Sequence, residues 1–376
     1  GWLLHRVRGG VVAGTLFVLP GALTVLVLSI IYVTYQKEML VSSIFFGVKA
    51  AVLAIVTTAL WRLARKILRK KLLVGITIAA FLASFVFAVP FPIVIVGAAL
   101  ATYFFGEAPV QTADMDEEGE GRIIDNWVAA GGSPKPHRAF LVAAICAFFW
   151  LAPVAVLYGW LGAGHVYVQE AMFFSKMAVV TFGGAYAVLS YMAQQTVGHY
   201  GWISAGEMLD GLGMAETTPG PLILVTQFVG FMGAYYSPGV LDPMMAGCLG
   251  ALVTTWVTFA PCFLWIFLGA PYIEVLRGNR VLSAALTGIT AAVVGVVLNL
   301  AIWFGLRVIF IELSDMTLLG LDGIAVSLPI LSSFDPLASA ILAGALVAIM
   351  RFGFGMIKVL ALSAAAGLAL GSVGLV

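Results

Sequence analysis

Residues 214–231 read MAETTPGPLILVTQFVGF, and residues 173–189, a little upstream, read FFSKMAVVTFGGAYAVL. Thr217-Thr218-Pro219-Gly220-Pro221 interrupts an apolar run with two prolines around a glycine. Each proline lacks an N–H donor and clashes with the preceding turn, so no helix continues through this point. Pro221 suits the first turn of a new helix, where its missing donor would have been unpaired anyway. The apolar run from Leu222 to Phe231 therefore predicts a half-helix that starts at membrane depth with its first N–H groups open. Broken backbone at that depth is tolerated only where it is buried in protein or lines a wet cavity, and the positive end of a half-helix suits an anion. The stretch reads as a substrate site; a proline kink that only shapes packing is the competing reading. A Gly pair upstream, in Thr181-Phe182-Gly183-Gly184, and Glu216 beside the break favour the first.

Composition sets the surroundings. Of 376 residues, 62% are hydrophobic and 10% charged, with a mean hydropathy of +1.08, far from the roughly 25% charged residues of soluble proteins. Many apolar runs approach the ~20 residues that cross hydrocarbon as a helix, and the alternating pattern of a membrane barrel is missing. The expected fold is all-α and polytopic, and the lipid bilayer is its first partner. A net charge of +1, scattered along the chain, argues against a nucleic-acid partner. Cys146, Cys248 and Cys262 lie in apolar runs without metal spacing and read as small core residues. No metal and no cofactor is expected.

Eleven membrane segments can be counted. The first two are Val11–Tyr35, with Pro20-Gly21 near its middle, and Leu40–Trp61. After them Arg62, Arg65, Lys66, Arg69, Lys70 and Lys71 put six cations in ten residues. Such loops stay cytoplasmic, which places the N-terminal end of this chain, with His5, Arg6 and Arg8, in the cytoplasm as well. Leu72–Val89 and Phe91–Phe105 form a short pair around Pro90. Residues 106–138, rich in Asp, Glu, Gly and Pro, cannot bury a core and read as a flexible cytoplasmic linker. Ala139–Leu161 is a span, and Glu170–Met192 is expected to return as one helix carrying Lys176. The broken segment Gly206–Tyr235 follows, then Pro243–Leu268 with Pro261, Val281–Phe304, a polar stretch Glu312–Asp335, and a second short pair, Pro336–Ile349 and Phe354–Val376.

Sliding the chain by 241 residues places Pro20 on Pro261, Gly9 on Gly250, and Gly47-Val-Lys-Ala-Ala-Val on Gly288-Ile-Thr-Ala-Ala-Val. This points to two copies of one unit, residues 1–105 and 168–376, with 139–161 as the odd central helix. The Pro20 and Pro261 spans would run in opposite directions, an inverted duplication of the secondary-transporter kind with a midplane site at the repeat interface. The counterparts of Gly184 and Pro219-Gly220-Pro221 would fall before residue 1. The first copy is thus expected to lack two segments, and the natural product to begin about 65 to 100 residues earlier.

TFGGAY (181–186), AETTPGPLILVTQFVGF (215–231), the Pro20 and Pro261 helices and the two-half layout together resemble the long-chain chromate ion transporters over essentially the whole chain. The resemblance implies chromate efflux across the cytoplasmic membrane, sulfate as a structural analogue, and a six-one-six arrangement of segments. Ala185 departs from it, standing where members often carry a third glycine. A homodimer is the expected assembly.

Chromate is a tetrahedral dianion, and its site needs donors and positive potential. Backbone N–H groups after Pro219 and beside Gly183 and Gly184 meet that need, with hydroxyls from Thr181, Thr217 and Thr218 around the Pro219-Gly220-Pro221 turn. Gln227 either donates to the anion or holds helices together. Lys176 is the favoured cation, since an ionisable group inside a membrane helix is a functional candidate, with snorkelling as its rival role. Glu216 either carries a coupling proton or caps a helix end. Lys49 and Lys358 share the ambiguity of Lys176. A membrane enzyme would want His, Asp, Glu or Cys clustered at one depth, and the sequence offers no such cluster, so no enzymatic activity is expected. Transport of sulfate or another tetrahedral oxyanion is the alternative to chromate.

Overall fold

Apolar runs of this length can satisfy their backbone only as helices, and helices dominate the computed structural model, which describes residues 2–105, 136–181, 185–269, 280–317 and 325–375. The first half holds α1 (Trp2–Tyr35), α2 (Met39–Ile67), α3 (Lys71–Phe85) and α4 (Phe91–Phe105). Then come α5 (Pro136–Leu161), α6 (Val166–Val180), α7 (Ala185–Ala193, continued as a π-turn Gln194–His199), α8 (Ala205–Thr217), a 3₁₀ turn Leu222–Leu224, and α9 (Val225–Tyr236). α10 (Pro243–Gly269), α11 (Arg280–Ile309), strands β1 (Leu313–Thr317) and β2 (Ala325–Pro329), α12 (Pro336–Met350) and α13 (Met356–Ser372) complete the chain. Among the described residues, five stretches are long and apolar enough to cross a membrane: Val7–Tyr35, Met39–Ile67, Phe140–Leu161, Pro243–Gly269 and Val281–Ile309.

Two helices form the centre. Ala50–Val56 on α2 and Ala291–Val297 on α11 are buried on every side, the mark of a helix enclosed by others. α12 and α13 pack on α2, α3 and α4 pack on α11, and α2 and α11 touch each other. α9 lies between α1 and α10 and is buried along most of its length. At the periphery, α5 is held by Trp150 Nε1 donating to Ser175 Oγ (3.1 Å) and Trp256 Nε1 donating to the Phe149 carbonyl (3.1 Å). Its remaining surface, with Phe140, Phe148 and Trp160, is exposed, as a lipid-facing helix requires.

Three expectations change. The predominantly helical chain carries one strand pair that the sequence did not announce: β1 and β2 pair antiparallel from Leu313↔Pro329 to Thr317↔Ala325, and Phe310 bridges Phe334. The stretch is too polar to enter hydrocarbon, and strand pairing satisfies its backbone while bringing the start of α12 beside the end of α11, where Asp335 N–H donates to the Ile309 carbonyl (2.7 Å). Asp335 then caps α12, accepting from the N–H groups of Leu337 and Ala338. Second, Glu170–Met192 is not one helix, because α6 stops at Val180 and α7 starts at Ala185; the Thr-Phe-Gly-Gly sequence between them disfavours continuation. Third, the central helix takes in Pro136–Arg138, since Pro136 is well suited to a first turn. The rest of the expected linker, 106–135, lies outside the described residues.

Candidate functional site

Two interruptions meet in space. α6 ends at Thr181 (φ −79°, ψ 88°); Gly183 and Gly184 lie outside the described residues. α8 opens with a capping box in which Ser204 and Glu207 satisfy each other's backbone, and it ends at Thr218, whose extended backbone (φ −89°, ψ 138°) leads into Pro219. Tyr186, in the first turn of α7, donates its hydroxyl to Glu216 Oε1 at 2.6 Å. One hydrogen bond thus ties the restart after the first interruption to the residue before the second. Tyr186 was not singled out from the sequence; its place next to the Gly pair was the available signal.

The second interruption turns on Gly220, whose φ of +128° is a conformation that side chains disfavour. Pro221 is extended (φ −74°, ψ 135°) and precedes the turn Leu222–Leu224. The Leu224 N–H already bonds the Pro221 carbonyl (3.0 Å), which leaves the N–H groups of Leu222 and Ile223 at the open end of the helix, outside its own ladder. α1 closes this end from behind. A Cβ on Gly21 would stand 2.5 Å from the Pro219 carbonyl oxygen, so the residue after Pro20 is the one that lets α1 reach the break. Gln227 is buried and donates through Nε2 to the Ala22 carbonyl (2.9 Å), while its Oε1 has no hydrogen-bond partner among the described residues. Its amide joins α9 to α1, the helix-holding role.

The three threonines differ from the donor array expected of them. Thr181 donates to the Met177 carbonyl (2.6 Å), Thr217 to Gly213 and Met214, and Thr218 to Met214 (2.7 Å). Each hydroxyl has one proton, and all three protons are turned back onto their own helices. Among the described residues, the donors left at the break are the backbone amides of Leu222 and Ile223, outside the helix ladder. Lys176 is exposed on α6, five residues before Thr181, and Lys358 is exposed on α13.

Lys49, whose role the sequence left ambiguous, is paired with an acid. Its Nζ lies 3.3 Å from Asp210 Oδ2, and Tyr32 donates its hydroxyl to the same oxygen at 2.8 Å. Asp210 and Tyr32 were missed, although an acid inside an apolar helix is a signal in itself. Glu170, also missed, is fully buried on α6, and neither carboxyl oxygen has a hydrogen-bond partner among the described residues.

Comparison with known proteins decides the family. A family model described as "Chromate transporter" matches residues 1–103 and 168–368, most of the chain. The chain belongs to the chromate transporter family. Among curated relatives of this family, a chromate transport protein of Pseudomonas aeruginosa is 30% identical over 294 residues, covering 77% of this chain and 62% of that protein. A chromate transport protein of Cupriavidus metallidurans is 26% identical over 299 residues, covering 79% of this chain and 65% of its own length. A probable chromate transport protein of Synechococcus elongatus is 25% identical over 314 residues, covering 81% and 68%. The chain spans about two thirds of the length of these relatives. No solved structure matches it. As a member of a transporter family with five helices of spanning length and apolarity among the described residues, it is a multi-pass membrane protein.

Proposed function

We propose that the chain carries chromate across the cytoplasmic membrane, exporting it, with the dianion held where the two helix interruptions meet. The observation that carries this reading is the Tyr186–Glu216 bond (2.6 Å) beside the open end at Leu222–Ile223, in a chain whose curated relatives are named for chromate transport. Open amides at the positive end of a half-helix bind an anion through partial charges, which keeps the hold on it moderate. Pro219, Gly220 and Pro221 shape the turn, with Thr181, Thr217 and Thr218 around it; Gly183 and Gly184, assigned to the site from the sequence, lie outside the described residues. Thr hydroxyls reach the anion only by rotating away from their helix carbonyls. Lys176, exposed on α6 five residues before the first interruption, adds positive charge on that side of the site, and Glu216 is the carboxylate a proton arriving at the anion would meet. The chain acts without chemistry of its own, as a carrier rather than an enzyme.

The same proposal includes eleven segments in two inverted repeats, 1–105 and 168–376, a cytoplasmic N-terminal end and linker, and a homodimer. Three observations support the repeats. The enclosed runs Ala50–Val56 and Ala291–Val297 stand at the 241-residue offset that relates Pro20 to Pro261. The short terminal pairs are exchanged, α12 and α13 packing on α2 while α3 and α4 pack on α11. The family match itself falls in two stretches on either side of 104–167.

The test is uptake of labelled chromate into inside-out vesicles containing the full-length protein, with labelled sulfate in parallel and an imposed proton gradient. Saturable chromate uptake above that of protein-free vesicles is expected. Sulfate uptake with chromate excluded would move the assignment to the alternative oxyanion, and uptake of neither would end the reading.

A further inference from the structure

We infer that Lys49, Asp210 and Tyr32 form a proton-operated latch between the first and second halves of the chain, with Asp210 as the proton carrier that couples transport to a gradient. α1 and α2 contribute Tyr32 and Lys49, and α8 contributes Asp210, so the cluster bridges segments almost the length of a half apart. Both donors converge on Oδ2, at 3.3 Å from Lys49 Nζ and 2.8 Å from Tyr32 Oη. Oδ1 is buried without a hydrogen-bond partner among the described residues. Tyr32 is held in place by edge-on contacts with Phe45 and Phe228, ring centroids 5.1 and 5.4 Å apart.

A carboxylate this enclosed is tolerable as an anion only while a cation faces it. One proton changes that balance. It bonds to Oδ1, the carboxylate becomes a neutral acid, and the cluster's net charge rises by one, with Lys49 still an ammonium and no electron transferred. The attraction that held Lys49 is lost, and the ammonium turns to water. The asymmetry of exposure supplies the route: the Lys49 side chain is 32% exposed and that of Asp210 4%, so protons and water reach the acid from the Lys49 side. Glu170 offers no such device. It is sealed, with the Trp202 ring and the Gly233 backbone on α9 close by, and it has no cation partner among the described residues.

Further charged and titratable groups lie on α8 and the helices packed against it. Glu207, on the same helix, accepts from Tyr236 at the end of α9 and from the Ser204 N–H. α11 carries Arg280 at its start and Arg307, stacked 3.9 Å over the Trp303 ring; α13 carries the exposed Lys358. Among the described residues, Lys49 is the cation in contact with Asp210. The consequence for transport follows from α8 being one helix. It carries Asp210 at its middle and Glu216, with the break, at its end, so freeing α8 from α2 moves the end that Tyr186 holds. The link from latch to anion rests on the function proposed above; the latch itself does not.

Two measurements separate these. In a background with Cys146, Cys248 and Cys262 replaced by serine, Gly206→Cys places a thiol beside Lys49 Nζ, which lies 3.4 Å from a Cβ built there. Labelling of this thiol in membrane vesicles, corrected for the thiolate fraction with an exposed reference cysteine, is expected to rise by roughly tenfold as pH falls and the latch opens. The rise should vanish in Asp210→Asn and persist in Glu216→Gln. A corrected rate that does not change with pH, or a rise that survives Asp210→Asn, overturns the latch whether or not chromate is the substrate. The second measurement is transport: Asp210→Asn should keep chromate exchange at equal concentrations across the membrane and lose gradient-driven accumulation. Gradient-driven accumulation at the unmutated level in Asp210→Asn overturns the coupling role. If the variant fails to insert, the pH dependence of labelling in the cysteine-replaced Gly206→Cys protein that keeps Asp210 still decides.

Discussion

Gly220→Ala is the most direct perturbation of the second helix interruption. The added methyl would stand 3.2 Å from Leu224 Cδ1, 3.6 Å from Gly21 Cα and 3.7 Å from the Phe17 carbonyl oxygen. Only the first is tight, and it involves the end of a side chain that can rotate, so crowding contributes little. Backbone conformation dominates. At φ +128° a residue with a Cβ carries strain of about 1–3 kcal/mol. If the turn relaxes, the open amides at Leu222 and Ile223 swing away from the anion; at about 1.4 kcal/mol per factor of ten, transport falls roughly 5- to 150-fold. If the turn holds, the same energy appears as lost stability. The assay is chromate flux in inside-out vesicles, normalised for inserted protein, with the unfolding midpoint in detergent measured alongside. Unmutated flux together with an unmutated midpoint would refute the reasoning. Gly220→Leu drives a larger side chain toward α1 and should abolish flux in a protein that still inserts; normal flux there would end the half-helix account altogether.

Three further predictions concern other contacts. Tyr186→Phe removes the bond to Glu216, and since a hydrogen bond to a charged group contributes about 1.5–3 kcal/mol, half-saturation for chromate should rise at least tenfold; an unchanged value would mean that the two interruptions act independently. Gly233→Ala pushes a methyl to 2.8 Å from Glu170 Oε1 and 3.1 Å from the Trp202 ring, an overpacking worth about 1–3 kcal/mol of stability that Glu170→Ala in the same chain should partly restore, as unfolding in detergent would register. Lys176→Ala should weaken chromate binding about ten- to hundredfold if its ammonium reaches the anion, with Lys176→Arg keeping part of it and Lys358→Ala changing little; unmutated affinity in Lys176→Ala would remove that residue from the site.

Residue chemistry alone determined the class of protein and the places where helices stop. Backbone without water must pair internally, so long apolar runs become helices wherever they lie, and Pro219 with Pro221 ends α8 through a loss of donors that depends on nothing distant. The role of Gly21 was half legible: a glycine after a mid-helix proline signals close approach, but nothing in the chain says that the Pro219 carbonyl is what approaches. Partnerships across sequence belonged to the tertiary structure. Tyr186 with Glu216 and Lys49 with Asp210 and Tyr32 are joined by packing of whole helices, whose register depends on every contact along them. The threonine hydroxyls at the break were legible as residue types but not as donors, because a helix carbonyl four residues back competes for the same proton. The β1–β2 hairpin escaped notice for a similar reason: strand pairing is set by which two stretches the flanking helices bring together, and Leu313–Thr317 shows no strand pattern strong enough to announce it alone.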